Sequence, residues 1–462
     1  MAPKFGTSGL RGLVTDLTDE VCARYTKAFL TGTAHDGVLL VGGDLRPSTR
    51  QHLRAVAAGA RAAGVTVVDC GTLPTPALAL EAQRRGAPAV MVTGSHIPAD
   101  RNGLKFYTRT GEITKSDETA INDRLADWSG PMDLSDPVTD DTALARYAAR
   151  FSGFFAADAL AGRRVGVYEH SAVGRDSLGA VLRALGAKVT TLGRSDHFIP
   201  VDTEAVDETT RSQLRDWARD AGLDAIVSLD GDSDRPLVTD ASGHVIPGDV
   251  IGALTARHLG ARVLVTPVSS NTMIDGMGFE TIHRTRIGSP YVIEGIEAAL
   301  ARDGASHVVG YEANGGFLTG FAAVGAVGTL SPLLTRDAFL PILCALAGIA
   351  VHGPLAAQID ALPPRRTAAD RLEGLPTEIS AALIAQLRAD PGARAALFAP
   401  LGEEAALDLT DGLRVTFTSG EIAHLRPSGN APELRCYCEA TSEQRAGAIV
   451  QSLLGNIAAR YG

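Results

Sequence analysis

The chain has 462 residues, 45% hydrophobic and 21% charged, with a formal net charge of −10. This is an ordinary globular composition long enough for three or four domains. The acidic balance argues against nucleic acid as a partner, and no apolar run reaches the roughly 18 residues that would span a membrane. MAPKFGTSGLRG, at the N-terminus, lacks the apolar core of a signal peptide, so a cytoplasmic location is expected. Cys22, Cys70, Cys344, Cys436 and Cys438 form no CxxC pair and are expected to be reduced and buried.

A weak repeat runs along the chain. VLLVGGDLRPSTR (38–50) reads as a strand, a polar loop and a helix, and ends in a second strand, GVTVVDCG (64–71). RVGVYEHSAVGRD (164–176) leads in the same way to GAKVTTLG (186–193), and RVLVTPVSSNTMID (262–275) to GFETIHRTRIG (278–288). Continuous Val/Leu runs of this kind mark buried parallel strands of βαβ units. Each unit has a further apolar run that empties into a polar, glycine-bearing loop: APAVMV into TGSHIPADRNG, LDAIVSL into DGDSDR, SHVVG into YEANGG. In open α/β sheets, ligands gather beyond the carboxyl ends of strands.

Past Pro363 and Pro364 the βαβ order stops. LRVTFTSG (413–420), EIAHLR (421–426) and ELRCYCEA (433–440) read as strands, and 442–462 as a closing amphipathic helix. The expected fold is therefore α/β: three consecutive α/β domains with mixed, mainly parallel sheets, plus a smaller α+β C-terminal domain. The boundaries fall at 1–150, 151–256, 257–362 and 363–462.

The loops carry the chemistry. Asp230, Asp232 and Asp234 alternate, so a turning loop can aim three hard oxygen ligands at one Mg²⁺. The calcium-loop reading fails, because Arg235 stands where an EF-hand needs Gly and Ala241 where it needs Glu. Arg235 suits a site where a phosphoryl oxygen arrives with the metal. Ser95 lies just past a buried strand; alone it reads more readily as a turn-capping hydroxyl than as a nucleophile, and His96 beside it equally as a structural donor. Lys105 ends the same loop and is one of only five lysines in the chain. Glu312 and Asn314 present a carboxylate and an amide suited to hydroxyl recognition, or simply decorate a turn. Arg426, Ser428, Gly429, Asn430 and Arg435 lie in one proline-fixed loop that can cradle a phosphate. P-loop, dinucleotide, nucleophile-elbow and zinc patterns are missing.

In this order and spacing, FGTSGLRG (5–12), TGSHIPADRNGLK (93–105), DGDSDR (230–235), EANGG (312–316) and RPSGNAPELR (426–435) resemble the α-D-phosphohexomutase family along the whole chain. The resemblance implies four domains around a central cleft, with Ser95 as phosphoserine and Ser95, Asp230, Asp232 and Asp234 as Mg²⁺ ligands. Arg235 and Arg11 would face the phosphoryl group, with His96 beside it, and Lys105 would act as general acid/base. Glu312 and Asn314 would hold ring hydroxyls, and Arg426, Ser428, Gly429, Asn430 and Arg435 the distal phosphate.

The implied reaction interconverts hexose 1- and 6-phosphates, mannose first and glucose second, through a 1,6-bisphosphate that also serves as activator. The alternatives are an amino-sugar or cyclitol mutase, a metal-dependent sugar phosphatase using the same serine, and a non-catalytic phosphosugar binder. A small-molecule phosphosugar is the expected partner, with no nucleic acid or membrane, and the protein a monomer or weak homodimer. A hinge is expected near 360–370. The sequence departs from the family at Asn314 and Gly316, where many members have Ser and His, at Ser289 for His, and at Asn430 for Thr. Without those histidines, proton transfer falls to Lys105 and Glu312.

Overall fold

The computed structural model describes residues 3–6, 8–303, 307–428 and 432–461, apart from the side chain of residue 303. Three α/β sheets follow one another. In the first, Val38–Gly43 lies between Thr66–Thr72 and Ala89–Val92, parallel to both, and Arg101–Thr108 adds antiparallel beside Ala89–Val92. The second repeats this order with Arg164–His170, Lys188–Arg194, Ala225–Leu229 and Pro236–Thr239. The third does so with Val263–Pro267, Thr281–Thr285, Val308–Tyr311 and Phe317–Thr319.

The expected repeat is thus a repeat of topology. Its third copy differs in one respect: the crossover after Val263–Pro267 is a 3-10 turn, Thr272–Gly276, where a helix was expected. The thirteen residues between Pro267 and Thr281, with Gly276 closing the turn and Gly278 after it, suffice to bring the chain back alongside the first strand.

In each copy the third and fourth strands form a hairpin, closed by the pairs Val92↔Leu104, Leu229↔Pro236 and Tyr311↔Phe317. The polar loops singled out in the sequence are the tips of these three hairpins. The strands beneath them are buried on both faces, which explains their uninterrupted apolar runs. One hydrophobic core runs through all three units, from Leu40 and Tyr107 through Leu178 and Leu254 to Tyr311 and Phe339.

The C-terminal unit is an antiparallel sheet in the order Arg366–Glu373, Glu433–Ala440, Ile422–Pro427, Leu413–Phe417, Glu404–Asp408, covered by helices Thr377–Ala389 and Glu443–Tyr461. Its two outer strands were not evident in the sequence, because both alternate charged and small residues with few β-branched ones. Its core, around Leu413, Val415, Leu434 and Leu453, is separate from the other. All five cysteines are free and buried, and Cys436 and Cys438 share one strand face with sulfurs 3.7 Å apart. Among the described residues, no helix is long and apolar enough to cross a membrane.

Candidate active site

Ser95 is completely buried and has φ = 54°, a left-handed conformation that is uncommon for a side-chain-bearing residue and costs backbone energy. Its N–H donates to Thr93 Oγ1 at 2.8 Å, and its hydroxyl donates to Asp230 Oδ2 at 2.7 Å. The serine hairpin and the acidic hairpin are therefore joined tip to tip. Gly231 permits this approach, since a Cβ there would lie 2.6 Å from the Ser95 carbonyl oxygen.

The acidic loop folds around its own first residue. Asp230 Oδ1 accepts the N–H groups of Asp234 and Arg235 at 3.1 and 3.2 Å. Ser233, at φ = 60°, forms the tight turn, and its hydroxyl accepts the Gly174 N–H at 2.9 Å. Asp232 sits at the start of helix Thr75–Arg85: its carbonyl accepts the Thr75 N–H and its Oδ2 the Thr75 hydroxyl. The helix N-terminus favours negative charge there.

All three carboxylates are fully buried, with one oxygen of each inside a 4.8 Å span. Such charges repel by roughly 3 kcal/mol per pair at an effective dielectric of about 20. Cations offset this. Lys105 Nζ donates to Asp232 Oδ2 at 2.6 Å and Asp234 Oδ2 at 2.7 Å. Arg336 donates to Asp234 Oδ2 through Nε and Nη2, at 3.1 and 2.8 Å. Arg235 Nε lies 3.9 Å from Asp230 and 3.8 Å from Asp234.

The result is a split in proton affinity. Burial and the neighbouring Asp232 and Asp234 push the Asp230 carboxyl well up. Burial would raise Asp232 too, but Lys105 overrides it and holds Asp232 low. Asp234 is likewise held low against burial, chiefly by Arg336.

Asp232 Oδ1, Asp234 Oδ1 and Arg235 Nε are buried without a hydrogen-bond partner among the described residues. Buried polar atoms of this kind are costly unless a ligand completes them. Two orphan carboxylate oxygens beside a third carboxylate are a donor set that fits a divalent cation. The unpaired guanidinium N–H beside them fits an anion.

His96 Nδ1 lies 3.0 Å from Arg235 Nη1 and 3.4 Å from Ser95 Oγ. Burial and the adjacent Arg235 push its pKa well down, so it is neutral and its Nδ1 accepts from Arg235. Arg11 pairs in register with Gly103, two residues before Lys105, and burial together with Arg235 pushes its pKa down to about 10.

Glu312 and Asn314 sit on the third hairpin. Glu312 Oε2 accepts from Arg336 Nη1 at 3.2 Å. Asn314 Oδ1 accepts the Gly316 N–H at 3.0 Å, so part of its amide shapes its own loop. Below lies a cavity of about 460 Å³, walled by Ala313, Pro247 and Glu204 and, from the C-terminal sheet, by His424 and Tyr437.

In that sheet Arg426 and Arg435 stand opposite each other on adjacent strands. Asp411 holds Arg426 at 2.9 Å, and Glu433 holds Arg435 at 2.9 Å. Ser428 is buried, and its N–H donates to the Glu433 carbonyl. Gly429 and Asn430 lie outside the described residues.

The structure adds residues that sequence reading missed. Arg336 lies on strand Leu333–Asp337, and its only signal was a charged pair inside an apolar stretch. Arg46 lies under the serine loop, with its guanidinium donating to the carbonyls of Ser95, Ile97, Pro98 and Arg101. Glu112 accepts from Ser8 at 2.5 Å and from Ser289 at 3.0 Å, and so joins the first unit to the third. Ser289 therefore has a structural partner at the position where some relatives have a histidine.

Comparison with known proteins gives the family. Sequence models of the phosphoglucomutase/phosphomannomutase α/β/α domains I and III match residues 2–130 and 247–365, and that of the C-terminal domain matches 380–455. A phosphomannomutase of Sinorhizobium fredii is 43% identical across 96% of this chain and 97% of its own length. One from Salmonella muenchen is 44% identical across 99% and 96%. The chain belongs to the phosphoglucomutase/phosphomannomutase family. Like its relatives in this α-D-phosphohexomutase family it is an isomerase, an intramolecular phosphotransferase. A solved family member from Burkholderia thailandensis has the same fold, with a TM-score of 0.75 at 22% identity over 97% of this chain and 96% of its own.

Proposed function

We propose that this member of the family interconverts hexose 1-phosphate and hexose 6-phosphate, with mannose preferred and glucose second, and that Ser95 carries the transferred phosphoryl group. The observation that carries this reading is the Ser95 hydroxyl, 2.7 Å from Asp230 in a buried cluster where one oxygen each of Asp232 and Asp234 lacks a partner among the described residues. The mannose preference draws on the names of two relatives above 40% identity. The amino-sugar, cyclitol and phosphatase readings have less support.

Phosphoryl transfer needs mainly positioning and charge neutralisation. Three carboxylates face Lys105, Arg235 and Arg336, the last shared with Glu312. A divalent cation and a phosphoserine dianion arriving together add no net charge to this cluster. Asp230, Asp232, Asp234 and phospho-Ser95 would hold Mg²⁺, which when bound supplies neutralisation of phosphoryl charge. Arg235, with its free Nε, meets the phosphoryl oxygens, and Arg11 and His96 line the same side. Lys105, held by two carboxylates, keeps an N–H free to give a proton to a departing serine or sugar oxygen. Glu312 and Asn314 receive ring hydroxyls, and Glu312 is the second candidate to take a proton.

The bisphosphate then turns over in the cleft. Arg426, Ser428, Gly429, Asn430 and Arg435 grip whichever phosphate is distal. Hexose 1,6-bisphosphate acts as activator by rephosphorylating Ser95. The domains divide at 150, 256 and 362, the last boundary being the hinge. The enzyme works in the cytoplasm as a monomer or weak homodimer.

The test is a coupled assay over mannose, glucose, glucosamine and N-acetylglucosamine 1-phosphates with Mg²⁺ and a sugar bisphosphate. Mannose 1-phosphate is expected to turn over fastest and Ser95→Ala to abolish turnover. Full turnover in Ser95→Ala removes the carrier role. Phosphate release without isomerised product selects the phosphatase.

A further inference from the structure

Arg336 is 2% exposed and touches three segments that the sequence keeps far apart. Nε and Nη2 bond Asp234 of the acidic loop, Nη1 bonds Glu312 of the sugar loop, and Nη2 also reaches Ser8 Oγ at 3.5 Å. Ser8 in turn donates to Glu112. One guanidinium thus uses its fork to fix the distance between two loops, a job that Lys, with a single point of attachment, does poorly.

The sugar loop is shaped to admit this side chain. A Cβ at Gly316 would lie 2.6 Å from both Cγ and Cδ of Arg336 and 3.0 Å from its Cβ. Gly316 has no left-handed φ that would call for glycine, so close packing of the arginine stem is the remaining reason. This position is one of the departures noted in the sequence. Its lack of a side chain and the presence of Arg336 are two halves of one arrangement.

We propose that Arg336 is the positioning residue of the sugar loop: it anchors Glu312 to the acidic loop, and Gly316 is required so that it can pass. Glu312 Oε2 is committed to Arg336, while Oε1 accepts no hydrogen bond from the described residues and is the oxygen offered to the sugar. Arg336 touches no reacting atom. It acts by holding Glu312 and the phosphoryl site at a set separation, so its loss misplaces the sugar relative to phospho-Ser95. Misplacement of about 1 Å is worth about 100-fold in rate.

This inference rests on the mutase reading, and the experiment separates the two. Arg336→Met, Arg336→Lys, Gly316→Ala, Glu312→Gln and the double variants Gly316→Ala/Arg336→Met and Glu312→Gln/Arg336→Met are compared with the parent chain. Turnover of mannose 1-phosphate is measured, together with calorimetric binding of mannose 6-phosphate in a Ser95→Ala background. Arg336→Met is expected to lower kcat/KM about 100-fold and weaken binding about 10-fold, and Arg336→Lys to recover part of both. Gly316→Ala, which keeps every charge, is expected to fall in the same direction. Neither Gly316→Ala nor Glu312→Gln is expected to cost much more once Arg336 is gone, which is the non-additivity of residues acting as one unit.

Additive losses in both double variants overturn the inference, as does a folded Arg336→Met with parental KM and binding. If Arg336→Met does not fold, the Gly316→Ala phenotype decides: parental kinetics there overturn it. A parent chain with no mutase turnover overturns the mutase reading. The anchoring of Glu312 then stands or falls on the binding data.

Discussion

Residues 230–235 lie on a core shared by three sheets, whereas strands Ile422–Pro427 and Glu433–Ala440 belong to a sheet with a core of its own. Every carboxylate of the acidic loop is fully buried: Asp230 is tied to Ser95, Asp232 to helix Thr75–Arg85 and to Lys105 on strand Arg101–Thr108, and Asp234 to Lys105 and Arg336. The sheet that carries Arg426 and Arg435 meets the rest of the protein through polar contacts near its edges. Asp411 joins Arg426 to the Ile287 N–H, Arg286 reaches the Thr410 carbonyl, and Glu439 meets Thr272 and Arg365. The difference matches the two tasks of a reaction that keeps one chemical centre and turns its substrate over. On the proposed mechanism the reacting end is the preorganised one, and the gripping end belongs to the sheet with its own core.

The sharpest way to break this comparison is at the preorganised end. Asp232→Asn removes one of the two carboxylates on Lys105 and one of the two orphan oxygens. Loss of activity by more than about 100-fold is expected, exceeding the usual cost of an outer-shell change. Asp232→Asn turnover within tenfold of the parent chain means that the acidic cluster is not the reacting centre.

At the gripping end, effects should be smaller and appear in binding. Asp411→Ala frees Arg426 Nε and leaves the Ile287 N–H without its carboxylate. A charge-assisted hydrogen bond is worth about 1.5–3 kcal/mol, so KM is expected to rise about 10- to 100-fold with kcat less affected. Unchanged KM with lowered kcat would place Arg426 in the chemistry and blur the two regions.

The tie at the junction is tested by Glu439→Gln. Glu439 accepts from the Thr272 hydroxyl and N–H, and from Arg365, whose Nη2 also reaches the Gly420 carbonyl at 2.7 Å. Weakening it should leave the large core intact and loosen residues 363–366. Tryptic cleavage after Arg365 or Arg366 is expected to accelerate several-fold in the ligand-free variant, because such cleavage follows local opening. Equal cleavage rates mean that the junction is held elsewhere.

The sequence showed these regions unequally, for a physical reason. Hairpin tips are legible because their function concentrates polar residues and glycines after an apolar strand; DGDSDR and the Ser95 loop both read this way. The residues that hold the tips are lone side chains in ordinary surroundings. Arg336 reads as an interruption of an apolar stretch, Arg46 as loop polarity, and Asp411 as part of the turn TDG. What makes each important is its partner, and those partners lie 102 residues away for Arg336 and Asp234, and 124 for Asp411 and Ile287. Asn314 is the converse case: legible as a ligand, it also uses its side-chain oxygen to build its own turn.

The smallest effect concerns a contact between the two bodies that pH controls. His244, on the second unit, lies 3.3 Å from Glu443 at the start of the closing helix, and both side chains are about half exposed. The hydrogen bond to Glu443 raises the His244 pKa above its ordinary 6.5, and the same bond lowers Glu443 below 4.5. A raised histidine pKa means that stabilisation is fully present below the unfolded value and is lost as pH rises through the folded one. A depressed carboxylate pKa means the reverse on the acid side: stabilisation is lost as pH falls through the folded value of Glu443. The pair therefore supports docking from about pH 4.5 to 6.5 and fades above that. An exposed pair is worth at most a few tenths of a kcal/mol and is screened by salt. The expected reading is a slightly slower tryptic cut at the junction at pH 6 than at pH 8, after correction for trypsin's own pH dependence. That difference should vanish in His244→Gln and in 0.5 M salt. A pH difference that survives His244→Gln assigns the sensitivity to another group.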